Sequence, residues 1–150
     1  MKIRFADSDD IPQLLQLYRH LDPDDRITSI EDGRRNWDVL TRYPGSNIIV
    51  GHVDDAMVAT CTLIVIPNLT RGGMPYALIE NVVTDAGHRN KGHGKAVLKH
   101  AAEAAWAAGC YKVMLMTGSK RPEILNFYLG AGFEQSKTGF QRRRLPIRQD

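Results

Sequence analysis

The chain is short of several things, and each shortage excludes a class. It has two cysteines, Cys61 and Cys110, in 150 residues. Two thiols set in apolar segments make neither a disulfide framework nor a zinc motif, and they read as small buried hydrophobes. No apolar run approaches the roughly 18 residues that span a bilayer. The start, MKIRFADSDD, has no apolar stretch after its charge and is not a secretory signal. A cytoplasmic protein with no membrane partner is the expectation. The net charge is only +3, which suits an anionic ligand but does not call for nucleic acid. No Gly-Lys-Ser/Thr is present, so there is no Walker A loop. No linker, internal repeat or low-complexity segment divides the chain, and one domain over residues 1–150 is expected.

What is present centres on Ile79 to Leu98, IENVVTDAGHRNKGHGKAVL. It reads as an apolar strand, a polar turn and an alanine-rich helix. The strand carries one carboxylate, Glu80. The turn holds Arg89, Asn90, Lys91, Gly92, His93 and Gly94, with Lys95 behind them. Glycines at a helix mouth allow backbone amides to approach a ligand. The first helical N–H groups lack intrahelical partners, and the helix dipole makes that end positive. The stretch therefore offers an anion site beside a carboxylate. A Rossmann reading fails, because the third glycine is missing at its required spacing. The apolar strand from Lys112 to Thr117 also has no terminal acid for a ribose hydroxyl.

The other elements follow in order. Ile3–Ala6 is a first strand. Ile11, Leu14, Leu15, Tyr18 and Leu21 have helical spacing behind Asp7, Asp9 and Asp10. A second helix starts at Ser29, with Ile30, Trp37 and Leu40 on its buried side. Residues 46–52 and 56–66 form a hairpin, and Tyr76–Thr84 forms a central strand. The alanine-rich helix runs from Gly92 to Ala108. The strand over 112–117 should lie parallel to its predecessor through a right-handed crossover. Pro122 opens a last helix, and two further strands are predicted from Phe133 and over Phe140–Arg144. The basic tail residues Arg142, Arg143, Arg144 and Arg148 read as a solvated edge.

Arg-x-x-Gly-x-Gly after a strand resembles the acetyl-CoA pyrophosphate loop of the GNAT N-acetyltransferase superfamily. Asn126-Phe127-Tyr128 followed by Gly130-Ala131-Gly132-Phe133 resembles a second block of that family. Together these blocks span residues 76–134. The resemblance implies an α/β (α+β) fold: a mixed, mostly antiparallel sheet, splayed between its fourth and fifth strands and flanked by helices. It implies acetyl-CoA as donor, CoA as product, and a small-molecule amine as acceptor.

By the same resemblance, Glu80 would be the general base and Tyr128 the general acid. Val82 and Val83 would hold the thioester and pantetheine with their backbone. Residues 89–95 and Asn126 would contact the cofactor. Asp24, Asp25, Arg26 and Trp37 would lie where acceptors bind, and Asn81 would do so only if the strand bulges, since neighbours on a strand alternate faces. Many members are dimers, so a homodimer is an expectation. No metal is called for, because His88, His93 and His100 do not have a metal-ligand spacing.

Ile79–Val83 and Gly109–Lys112 are similar to blocks of glucosamine-6-phosphate N-acetyltransferases, which points to an amino sugar. Asn81 and Met116 stand where carboxylates would be expected there. A peptide N-terminus as acceptor, and a non-catalytic acyl-CoA-binding protein on the same fold, are the alternatives.

Overall fold

The computed structural model describes residues 1–145. Chain order is β1 (Lys2–Phe5), α1 (Ile11–Tyr18), α2 (Ile30–Thr41), β2 (Asn47–Val53), β3 (Ala56–Ile66), β4 (Tyr76–Thr84), α3 (His93–Ala107), β5 (Val113–Leu115) and α4 (Pro122–Leu129). The five strands lie in one open sheet in sequence order. Neighbours are antiparallel except β4 and β5, which are parallel. α3 is the crossover between them. Among the described residues, no helix is long and apolar enough to cross a membrane.

Each face of the sheet has its own core. On one side, Ile49, Cys61, Leu63 and Ile79 pack against Val97, Leu98, Ala101 and Ala105 of α3, all at most 1% exposed. Alanines on that helix face let its backbone sit close to the strands. On the other side, Ile48, Val50, Met57 and Val83 meet Ile11, Leu14 and Leu17 of α1. Trp37 and Leu40 of α2 pack at the margin of that second core.

The turn into α1 is locked by charge. Asp7 accepts from the Asp9 amide at 2.9 Å, and Asp10 accepts from the Asp7 amide at 2.8 Å. Arg4 on β1 donates to both oxygens of Asp10, at 2.6 and 2.8 Å. Burial alone would push the Asp10 carboxyl up, but the bonds from Arg4 and the Asp7 amide outweigh it and hold the group below its ordinary range. Ser29 caps α2 by accepting from the Asp32 amide at 3.0 Å.

Three expectations change. Ile30 is exposed rather than buried: α2 makes its core contacts through Trp37 and Leu40, and in its first turn it is Gly33 that sits against Ile11 and Leu15 of α1. The strand over 112–117 shrinks to three residues. The two strands predicted after Phe133 do not form, and residues 134–145 have no regular structure. Phe140 is 93% exposed. A strand needs a partner and an apolar face, and here β5 offers only three residues to pair with while Arg142–Arg144 supply no apolar alternation. Arg148 lies outside the described residues.

Gly94 is the tightest junction. A Cβ built on it comes within 2.9 Å of Thr84 Oγ1 and 3.0–3.2 Å of the Phe127 ring. The glycine thus lets α3 sit against both β4 and α4. Gly92 differs: a Cβ there meets nothing within 4 Å, but its φ is +82°, a conformation that costs other residues roughly 1–2 kcal/mol.

Two outcomes are expected. Asp10→Asn should lower the unfolding free energy by about 1.5–3 kcal/mol, the scale of hydrogen bonds to a charged group. Because the folded carboxyl titrates below the ordinary value of 3.8, this contribution is complete above that pH and is lost as pH falls through the folded value. Urea unfolding of both proteins between pH 7 and pH 2 should show the gap closing in acid. Gly94→Ala should cost about 1–3 kcal/mol through overpacking, measured by the same method, whereas an open site would tolerate alanine at no steric cost.

Candidate active site

The site begins where the parallel ladder stops. β4 and β5 pair at Ala77–Val113, Leu78–Met114 and Ile79–Leu115, and no further. From Glu80 onward, β4 has a strand neighbour only on its β3 side. A strand directs alternate N–H and C=O groups to each neighbour, so this edge presents unladdered backbone to the gap.

At the same point β4 changes register. Thr62 faces Glu80 and Thr60 faces Val83, so Cys61 on β3 stands opposite both Asn81 and Val82. This is a β-bulge. Asn81 takes the strain, with φ of +51°, a conformation asparagine adopts more readily than most residues. Strict alternation is broken here, and the condition for Asn81 to join Glu80 at one site is met by the backbone. Past the bulge, Val82 packs with the α3-side core and Val83 with the α1-side core.

Glu80 is half-buried. Among the described residues, no hydrogen bond or ion pair engages its carboxylate, so it is not the arginine-paired structural acid that a buried glutamate often is. Tyr128 on α4 is half-buried between Phe127, at 5.0 Å ring to ring, and the α3-side core. Burial pushes its phenol up, and the charge of Glu80 adds to the push. The two side chains therefore share one electrostatic environment. Cys61 lies beneath the bulge with its thiol pushed by burial up to about 12. Both cysteines are free and buried.

The loop between β4 and α3 opens with Asp85, which caps the 3-10 turn Ala86–His88 by accepting from the Gly87 amide at 2.9 Å. Asn90 and Gly92 are left-handed, with φ of 60° and 82°. They turn the chain so that α3 starts at His93, and no side chain caps its N-terminal amides. Arg89 and Lys91 fold back on the loop, bonding Thr84 O at 3.4 Å and Gly87 O at 3.1 Å. The His93 ring lies 6.1 Å from that of His88. Asn126 is exposed on α4.

Lys95 stands apart from the rest of this set. Its ammonium lies over Gly130, 2.6 Å from where a Cβ would be, at the negative C-terminal end of α4.

On the acceptor side, Asp24, Asp25 and Arg26 are exposed in the loop between α1 and α2. Asp25 accepts from the Arg26 amide at 2.8 Å. Trp37 is half-buried and donates to Asn47 Oδ1 at 3.3 Å. Asn47 sits opposite Leu63, itself opposite Ile79, so the strand that holds the indole's partner lies two strands, roughly 10 Å, from β4. The structure thus brings Glu80, Asn81, Val82 and Tyr128 together around the gap and leaves Trp37 at a packing position.

Two groups near the site carry no sequence signal. The Tyr18 phenol is pushed up by burial, with bonds to the Thr62 and Thr60 hydroxyls partly offsetting it, and Thr62 is the residue facing Glu80. Asp85 also meets His20 and His88. The Tyr18–Thr62 and His20–Asp85 contacts join residues far apart in the chain, whereas His88 lies one turn from Asp85. Among the described residues, no group of three or more His, Cys, Asp or Glu is placed to hold a metal ion.

Comparison with known proteins gives this geometry a context. A glucosamine 6-phosphate N-acetyltransferase of Trypanosoma brucei brucei is 30% identical over 138 residues, covering 89% of this chain and 88% of its own. A solved putative acetyltransferase from Agrobacterium tumefaciens str. C58 is 44% identical, superposes with a TM-score of 0.90, and covers 96% of this chain and 100% of its own. The solved glucosamine-6-phosphate N-acetyltransferase of Arabidopsis thaliana, at 24% identity, shares the fold with a TM-score of 0.83 over 95% of this chain and 97% of its own. Residues 11–133 match the model of the Acetyltransferase (GNAT) family. The open sheet, the bulge beside Glu80 and the uncapped helix after the glycine loop belong to an acyltransferase: the chain is a member of the Acetyltransferase (GNAT) family.

Proposed function

We propose that the chain transfers the acetyl group of acetyl-CoA to a small-molecule primary amine, by direct attack of the amine on the thioester, and that the amine is an amino sugar. The observation that carries this reading is the end of the β4–β5 ladder at Ile79. It leaves an edge of β4 open just where Glu80 and Tyr128 share one environment.

The residues fit such a donor. The amides of α3 and the cations Arg89 and Lys91 would meet its pyrophosphate, with Asn90, Gly92, His93 and Gly94 shaping the loop. Lys95 would contribute only by leaving the end of α4. Val82, Val83 and Asn126 would lie along its arm. When bound, acetyl-CoA supplies an activated acyl carbon and a thiolate leaving group. An aliphatic amine has a pKa near 10.4 and arrives protonated. Glu80 takes that proton, directly or through water, freeing the nitrogen lone pair to form the new C–N bond. As the C–S bond breaks, Tyr128 gives its phenolic proton to sulfur and is reprotonated from solvent. Asp25, Arg26 and Asn81 would face the acceptor. The amino-sugar assignment is supported by the name of the Trypanosoma relative.

Two outcomes are expected. Acetyl-CoA or CoA at 100 times its dissociation constant should stabilise the protein by about 2.7 kcal/mol, raising Tm by several degrees, while NAD should not; no shift with either CoA species would remove the donor assignment. Thiol release from acetyl-CoA across amino sugars, amines, amino acids and peptides identifies the acceptor, and a peptide-only response would replace the amino-sugar reading.

Glu80→Gln should slow turnover by about 10²- to 10⁴-fold while keeping the CoA-induced Tm shift. Tyr128→Phe should slow turnover as well. The Tyr128 phenol sits above its ordinary value of 10.0, so as an acid it stays competent until pH passes that value, and wild-type kcat should fall only beyond it. An alkaline limb that persists unchanged in Tyr128→Phe would deny Tyr128 the acid role.

A further inference from the structure

Asp85 follows the last residue of β4, and its amide donates to Val58 O at 2.8 Å. That bond carries the β3–β4 pairing one residue beyond Thr84 and fixes the backbone of Asp85 to the sheet. Its carboxylate is then divided between two elements. Oδ1 lies 2.7 Å from His88 Nδ1, and Oδ2 lies 3.2 Å from His20 Nε2.

The bond from His88 is the largest influence holding the Asp85 carboxyl below its ordinary range; burial opposes it, and the Gly87 amide and the charges of His20 and His88 add to it. The group is therefore a carboxylate at neutral pH and can only accept. The facing nitrogen of His88 is within hydrogen-bond distance and must carry its hydrogen on Nδ1, while His20 Nε2 makes a polar contact with the other oxygen.

The two histidines belong to different loops. His20 lies in the turn that closes α1, its amide bonded to Leu17 O at 3.0 Å. The chain runs directly from it into Asp24, Asp25 and Arg26. His88 ends the 3-10 turn, its amide bonded to Asp85 O at 2.9 Å. The chain runs directly from it into Arg89–Gly92 and α3. A single sheet-anchored carboxylate therefore holds the end of one loop and the start of the other.

We propose that Asp85 is a positioning residue that clasps the acceptor-side loop to the donor-side loop through His20 and His88, so that each histidine sets the affinity of one substrate. The proposal rests on the functional reading above, which places the amine at one loop and acetyl-CoA at the other. The clasp touches no reacting atom. Its signature is in binding, with the chemical step at Glu80 and Tyr128 left intact.

The two arms separate the effects. His88→Ala should raise KM for acetyl-CoA about tenfold, the scale of one charge-assisted hydrogen bond, and leave KM for glucosamine 6-phosphate within about twofold. His20→Ala should do the reverse. Asp85→Ala should raise both, with kcat within about twofold of wild type in all three. Asp85→Asn keeps the size and one acceptor oxygen, so it should lose one arm only, and it stands in should the alanine variant fold poorly. A uniform fall in kcat with unchanged KM values, or the same KM change in both histidine variants, overturns the clasp.

Long-range proton–nitrogen spectra of the histidine rings read it without turnover. Wild type should show His88 protonated on Nδ1, and Asp85→Ala should release it to the Nε2-protonated form usual for a free ring and shift the resonances of the His20 ring. Rings unchanged by Asp85→Ala overturn the proposal. If wild-type protein fails to bind CoA, the functional reading falls and the clasp is judged on these spectra alone.

Discussion

Three residue pairs join β4 to β5, and the candidate site is arranged around the point where they end. A sheet normally satisfies its backbone by continuing. Here the last parallel pair is Ile79–Leu115, and the next residues of β4 leave the ladder on that side with a carboxylate, a bulge and a loop in quick succession. The bulge adds a second effect. Opposing one residue of β3 with two of β4 rotates the strand locally, so that residues a regular strand would send to opposite faces can serve one place. Neither feature costs much core, because the apolar positions of β4 on each side of it, Ile79 and Val83, remain buried in separate clusters.

Much of this was legible in the residues. The helix after the glycine loop, the central strand and the parallel crossover follow from periodicity and from where Gly109 and Pro122 stop and start helices. The loop was legible because glycine spacing is a backbone signal. Gly94 has a second reason that its spacing did not show. Its spacing suggested approach to a ligand, but its immediate reason is contact with Thr84 and Phe127. Sequence shows that a Cβ is absent, and only the packing shows what would have met it.

What stayed hidden was long-range or conditional. Nothing at Asn81 announces a positive φ, since the bulge is a property of the β3–β4 pairing. Trp37 was a candidate contact through its place between the first two strands, and nothing in the sequence signalled that its indole would bond Asn47. The strands expected beyond Phe133 failed for want of a partner rather than of propensity, and partner availability depends on how far β5 extends. The links from Asp85 to His20 and from Tyr18 to Thr62 connect segments that no local pattern relates.

The depth of Cys61 has a chemical consequence. It is the residue of β3 that stands across from the bulge, with its thiol turned into the α3-side core against Val97 O and no surface exposed. Burial pushes its pKa up to about 12, so at neutral pH it stays a neutral thiol. The apolar core beneath the strand thus keeps the thiol unreactive by denying its charge the water it needs.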